Sequence, residues 1–217
     1  MATYNVRHCR GVDGRVDVGR TARILTRLRA DVVALQELDR NVKRSAVVDQ
    51  PAELARLSAL HVHFWPTLDY QGGDFGIAVA TRLDLKTSFH LLDDLGAGGR
   101  RHGAISVCAN GLTFLATHLS GRRQKNAAEM AHLCSIASEQ PAPAVIAGDL
   151  NRGPRDLHSM RELGFVRPER RPTFPSLLPV RQIDYVLAGS GARVQRSWTL
   201  RSLASDHLPL VADVVFD

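Results

Sequence analysis

The chain has 217 residues, 44% hydrophobic and 23% charged, an ordinary composition for a globular protein with its own core. Its length is generous for one domain and short for two, so residues 1–217 read as one domain, and no apolar run approaches the ~20 residues of a membrane span. Lys and Arg number 28 against 22 acids, a formal charge of +6 carried almost wholly by arginine. The forked guanidinium suits phosphate, although arginine richness also follows from a GC-rich genome.

The opening "MATYNVRHCRGVDG" turns polar within a few residues and shows no signal peptide. That favours the cytoplasm, with secretion left open if a leader has been removed. Within it, residues 2–6 predict a short strand. Residues 16–30 carry Val18, Ala22, Leu25 and Leu28 at helical spacing, with Asp17 as the N-cap. "DVVALQEL" (31–38) is an apolar strand ending in polar residues. A second helix is expected over 50–61, then "VHFWPTLDY", a glycine turn, and a strand at 75–82. A strand or hairpin follows at 83–94, then a loop at 96–103. Residues 104–120 read as two strands about the Asn110–Gly111 turn. A long helix (121–140), a buried strand (142–151) and a short helix (154–164) come next. A Pro- and Arg-rich loop separates them from strands at 181–189, 196–202 and 210–216. Cys9, Cys108 and Cys134 are odd in number and lack C-x-x-C spacing, so they read as small buried thiols and neither a disulfide framework nor a zinc site.

Helices set between strands in both halves imply sheets covered by helices. Apolar strands repeatedly end in groups that bind metal or phosphate: Asn5, Glu37, His118, Asp149 with Asn151, Asp184, and Asp206 with His207. Each has a structural reading when taken alone: turn cap, buried hydrogen-bonding acid or structural histidine. Six strand ends with complementary chemistry favour one site, because layered α/β folds collect ligands at strand ends. Carboxylates and an Asn carbonyl are hard ligands for Mg²⁺ or Mn²⁺. Neither H-E-x-x-H nor a cysteine cluster is present, which makes zinc less apt, and no phosphate-cradling Gly-rich loop is seen. Metal, acids and histidines together describe metal-assisted hydrolysis of a phosphate ester.

Several stretches occur in order along nearly the whole chain: "TYNV" (3–6), "VVALQELD" (32–39), "FGIAVATR" (75–82), "FLATHL" (114–119), "IAGDLN" (146–151), "TFPS" (173–176), "QIDYVL" (182–187) and "SDHLPL" (205–210). On these the chain resembles the endonuclease/exonuclease/phosphatase (DNase I-like) superfamily, in a compact bacterial-type form. That group includes DNase I, exonuclease III-type apurinic endonucleases, neutral sphingomyelinases and inositol polyphosphate phosphatases. The resemblance implies one catalytic domain over 1–217, a four-layered α/β/β/α sandwich of two packed mixed β-sheets flanked by helices. It implies a Mg²⁺ or Mn²⁺ hydrolase of phosphate esters. Glu37 is then the principal metal ligand, Asn5 a ligand or the neighbour of one, and Asp206 completes the metal site directly or through water. Asp149 aligns or deprotonates the attacking water. Asn151 and His118 hydrogen-bond the phosphate, His207 contacts it as acid or transition-state stabiliser, and Asp184 orients His207. The sharper expectation is that His207 bonds Asp184 and not its neighbour Asp206, strand alternation turning the two apart. One departure is Ile77, in "GIA", where the family carries a polar residue.

Arginines follow several of these strands: Arg7 with His8, Arg40 with Lys43 and Arg44, Arg100 and Arg101, Arg122 and Arg123 with Lys125, Arg152 with Arg155, and Arg167 with Arg170 and Arg171. A rim of that kind favours nucleic acid as the phosphodiester substrate. A phospholipid, sphingomyelin-type or inositol-phosphate substrate is the alternative, and a non-catalytic binding module a minor one. Tyr70 is a candidate for lining the pocket. No obligate protein partner is expected.

Overall fold

The structure, a computed structural model, describes residues 1–93, 101–140, 143–166 and 169–216. Most of the loop expected at 96–103, and Arg100 and Arg167 of the basic clusters, lie outside the described residues.

The first sheet has the order β10-β11-β1-β2-β4-β3, from Ala192–Thr199 (β10), Leu210–Phe216 (β11), Ala2–Asn5 (β1), Val32–Arg40 (β2), Gly73–Thr81 (β4) and His61–Tyr70 (β3). The second has the order β5-β6-β7-β8-β9, from Thr87–Leu91 (β5), Gly103–Ala109 (β6), Leu112–His118 (β7), Ala144–Asp149 (β8) and Asp184–Ala188 (β9). Both sheets are mixed. The parallel pairs β1/β2 and β7/β8 are each joined through a helix, α1 (Val18–Leu28) and α3 (Arg123–Ser138). Parallel neighbours require such a crossover, whereas antiparallel ones close through a tight turn. β6 and β7 do so at Asn110–Gly111, both at positive φ (51° and 76°), as a two-residue hairpin turn demands.

Side-chain alternation sorts the apolar residues into three cores. Tyr4, Val33 and Leu35 face α1 and α2 (Gln50–Ser58). Ala34, Ile77, Val79, Phe114, Ala116, Val145 and Val186 fill the space between the sheets. Leu115, Ile146, Tyr185 and Leu187 face α3 and the short α4 (His158–Glu162). Three cores separate four layers, an α/β/β/α sandwich. Asp17 caps α1, its Oδ1 accepting from the Arg20 N–H at 2.8 Å. Ile77 is one of the residues packed between the sheets, and Asp74, at the start of the same strand, pairs with Arg40 at 2.6 Å.

Two local irregularities aim residues at one end of the sandwich. In β2 the pairing with β4 shifts between Gln36 and Leu38, so Glu37 is the extra residue of a bulge, at φ 62°. Strict alternation would send Glu37 toward the helix side with Val33 and Leu35. The bulge hands that place to Leu38, which is fully buried, and releases Glu37 to the sheet end. In β8, a Cβ on Gly148 would meet the Thr117 carbonyl oxygen at 2.1 Å. Glycine there lets β7 and β8 close up immediately before His118 and Asp149.

Candidate active site

Three adjacent strands of the second sheet end in a row of functional groups. His118 on β7 pairs in register with Asp149 on β8, and Asp149 with Asp184, the first residue of β9. Directly opposed side chains stand ~5 Å apart at Cβ, where two like charges repel. Asn5 from β1, Glu37 from the β2 bulge and His207, just before β11, come from the other sheet.

Asp149 Oδ2 is the centre of this arrangement. Asn5 Nδ2 donates to it at 3.1 Å, and Nε2 of His118 and of His207 lie 3.7 and 3.9 Å away. Asp149 Oδ1 accepts the Asn151 N–H at 2.9 Å. Burial and then the Asp184 charge push the Asp149 carboxyl above its ordinary range, against the lowering pull of His207, Asn5 and the Asn151 N–H. Burial alone would lower the His207 imidazole. The Asp184 carboxylate, by charge and hydrogen bond, with Asp149 and Asp206 beyond it, overrides that and raises it.

His207 Nδ1 lies 2.9 Å from Asp184 Oδ2, and the same oxygen accepts from Thr173 Oγ1 at 2.5 Å. Asp184 thereby fixes the ring with Nε2 toward Asp149. The Phe174 ring packs on the imidazole, centroids 4.9 Å apart.

Asp206 points elsewhere, but not by strand alternation. Residues 206 and 207 precede β11 in an irregular bend. Ser205 directs them: its Oγ donates to the Asn5 carbonyl at 2.7 Å and accepts the His207 N–H at 3.2 Å. The Asp206 carboxylate then meets Arg7 Nε at 3.3 Å. Arg7 sits at φ 47°, the first of three successive non-glycine residues in the left-handed region, and its N–H donates to Asn5 Oδ1 at 3.0 Å. That bond orients the Asn5 amide. Its oxygen is taken, and its NH₂ bridges Glu37 Oε1 (3.0 Å) and Asp149 Oδ2. Asn5 therefore aligns two carboxylates through its NH₂, and its oxygen keeps a second lone pair.

Asn151, at φ 53°, donates its side-chain NH₂ to the Leu119 carbonyl at 2.9 Å. Asn126 on α3 donates to the carbonyls of Ser120 and Leu150, at 2.7 and 2.8 Å, tying together the turns that follow His118 and Asp149. The sequence alone gave no task to Thr173 or Phe174 of "TFPS", nor to Ser205 or Asn126. The first two stand nine and eight residues before "QID" in a stretch the family resemblance already covers. The others show no sequence signal, because their partners are backbone carbonyls of distant turns. Tyr70 lines a separate cavity of about 450 Å³ with Gln71 and Asp74, under the guanidinium of Arg44.

Among the described residues, acids and imidazoles converge to within 4.8 Å in two sets: Asp149, Asp184 and His207, and Asp93, His102 and Glu129. Glu37 and Asp206 fall outside the first. The donor chemistry around it still fits a hard divalent cation. The Asn5 amide joins the Glu37 and Asp149 carboxylates, and burial and then the Asp184 charge hold Asp149 against its own ionisation. Glu37 is the carboxylate that would hold the ion, with Asn5 beside it and Asp206, here paired with Arg7, completing the site directly or through water.

Two packed mixed sheets between helices, with acids and imidazoles gathered at one end, define the DNase I-like class of α/β sandwich. A family model described as the Endonuclease/Exonuclease/phosphatase family matches residues 2–207, and the chain belongs to that family. Solved structures agree on the fold. An endonuclease/exonuclease/phosphatase from Beutenbergia cavernae DSM 12333 is 25% identical with TM-score 0.78, covering 99% of this chain and 70% of that one. A functionally unknown conserved protein from Enterococcus faecalis V583 is 18% identical with TM-score 0.80, covering 100% and 99%. A mannosyl-6-phosphatase from Bacteroides thetaiotaomicron VPI-5482 is 13% identical with TM-score 0.76, covering 99% and 98%. No curated protein matches the chain.

Proposed function

We propose that this protein is a Mg²⁺- or Mn²⁺-dependent phosphodiesterase, with nucleic acid as its favoured substrate. The observation that carries the reading is Asp149 Oδ2 set between Nε2 of two imidazoles and the Asn5 amide, with Asp184 behind His207. A bound divalent cation supplies neutralisation of phosphate charge as a Lewis acid. Asp149 accepts the proton of the attacking water. His118 and Asn151 hydrogen-bond phosphate oxygens as charge develops on them. His207, kept protonated by Asp184, donates from Nε2 to the phosphate or the departing oxygen. Thr173 and Phe174 hold the Asp184–His207 pair in place. Asn5, fixed by Arg7, keeps Glu37 and Asp149 aligned.

The test is turnover of bis(p-nitrophenyl) phosphate with Mg²⁺, Mn²⁺ or EDTA, beside plasmid DNA, abasic duplex, RNA and phospholipid vesicles. Metal-dependent cleavage of the generic diester and of a nucleic acid is expected. No cleavage of any diester with either metal would sink the reading. One observation favours a second reading, a phospholipid diester. Leu177 and Leu178 are 70% and 72% exposed on the loop that begins at Phe174, beside His207. Selective cleavage in the vesicle arm would establish it instead.

A further inference from the structure

Many of the basic residues that follow the site strands are closed by acids. Arg7 pairs with Asp206, Arg40 with Asp74, Arg44 with the buried Asp39, Lys125 with Asp93, and Arg171 with Glu169. Around one cavity of about 590 Å³ the pattern differs. Arg155, Arg161, Arg170 and Arg181 all line it. All four are exposed, and among the described residues none pairs with a carboxylate. Asp156 is the acid in the lining, and it lies 3.9 Å from Arg123.

The cavity is built onto the reaction centre. Gln182 in its lining is two residues before Asp184, and Gly153 two residues after Asn151. Tyr185 Oη donates to the carbonyls of Arg152 and Gln182, each at 2.9 Å, and locks the two segments together. The Arg181 guanidinium stands over the Phe174 ring, which packs on His207. Backbone carbonyls orient two of the forks: Arg161 donates to Pro154 at 3.2 Å and Arg170 to Val180 at 3.0 Å.

Gln182 is 2% exposed, and its Oε1 is taken by the Arg171 N–H at 3.1 Å, which orients the amide. Its Nε2 is buried and has no hydrogen-bond partner among the described residues. Four like charges around one cavity repel, and an anion among them removes that repulsion. Phosphate suits the cavity, because its oxygens accept several bonds and match the guanidinium fork.

We propose that this cavity is a subsite for a backbone phosphate flanking the scissile one on a nucleic-acid strand, an inference that rests on the nucleic-acid reading of the site. The strand would run from the Asp149–His207 centre past Phe174, one phosphate entering among Arg155, Arg161, Arg170 and Arg181.

Equilibrium binding of a short labelled single strand to the full chain in EDTA, across a salt series, tests it without turnover. R170A/R181A is compared with the charge-matched control R82A/R193A, and melting curves establish that both are folded. The expected result is a Kd raised about tenfold over the control, and a salt slope shallower by roughly 0.7 for each phosphate no longer neutralised. R170K/R181K, which keeps the charge, should recover the slope. Affinity and slope within twofold of the control overturn the subsite, as does a wild-type chain that binds no strand. Loss of binding to phosphatidylglycerol vesicles, with strand binding intact, also overturns it and assigns the cavity to a lipid headgroup. If the arginines govern strand binding and the wild type cleaves no diester, the hydrolytic reading falls and the cavity stands only as a site for a strand's backbone phosphate. If cleavage occurs without arginine dependence, only the subsite falls.

Discussion

Two buried clusters of acid and imidazole differ in how their charge is closed. In one, Lys125 Nζ lies 2.6 Å from Asp93, and His102 Nδ1 lies 3.1 Å from Glu129. The N–H groups of His102 and Ser120 donate to Asp93 and Glu129 at 2.9 and 2.7 Å. Burial would raise the Asp93 carboxyl, but Lys125 and His102 hold it below its ordinary range. In the other, Asp149 and Asp184 stand in register on neighbouring strands with His207 between them. There burial and the second acid win, and the Asp149 carboxyl is pushed up. Both clusters can gather three ligating atoms, so composition does not separate them. The neighbour does: one cluster sets a lysine against its acid and holds α3 to the sheet, and the other sets a second acid beside Asp149.

Substitutions can break this contrast. The largest effect is expected from Asp149→Ala and His207→Ala, each lowering kcat by roughly 10²–10⁴-fold with an unchanged circular dichroism spectrum. Near wild-type turnover in both would remove the catalytic half of the comparison. Next comes Glu129→Ala, which strands the Ser120 N–H in the interior. Denaturant unfolding should show a loss of about 1–3 kcal/mol, the cost of a buried donor left without its acceptor, while kcat per folded molecule stays within a few-fold.

The pH dependence in chelator sharpens the opposition. Asp149 ionises later in the folded chain than in the unfolded one, so its contribution is present at low pH and lost as pH rises through and above the ordinary carboxylate range. Asp93 is the reverse: its contribution is present above its unfolded value and lost as pH falls through its depressed folded value. The stability difference between wild type and Asp149→Asn should therefore move against the wild type as pH rises. The difference between wild type and Asp93→Asn should move in the wild type's favour. Parallel curves would show that the two acids share one environment. The smallest effect is expected from Thr173→Val, which removes the hydroxyl bonded to Asp184. A hydrogen bond to a charged group contributes about 1.5–3 kcal/mol, so kcat should fall roughly tenfold or somewhat more with KM little changed. A matching rise in KM would mean that Thr173 binds substrate.

Much of this molecule was readable along the chain. Asp17, the Asn110–Gly111 turn and the apolar periodicities of the strands and helices are local signals, and the elements formed where those signals lie. "GDLN", "IDYVL" and "SDHLPL" brought the candidate residues to notice because each sits at the end or start of an apolar strand. Local chemistry also pointed to the arginine-rich loops, though not to which arginines meet acids. Arg7 and Arg171 look no different in sequence from Arg170 and Arg181, and only their surroundings separate them.

Element type, the order of the strand-end acids and the positive charge were determined by the sequence alone, because each depends on residues near one another in the chain. The tertiary structure decided what depends on distant partners. It released Glu37 through a bulge against β4, turned the Asn5 oxygen to Arg7 and its NH₂ to two carboxylates, and set Asp206 apart from His207 through Ser205. It also gave one of two similar acid–imidazole clusters a lysine and left the other without one. Charge closure is a property of packing, since a buried carboxylate's behaviour follows from which cation or acid the fold places beside it.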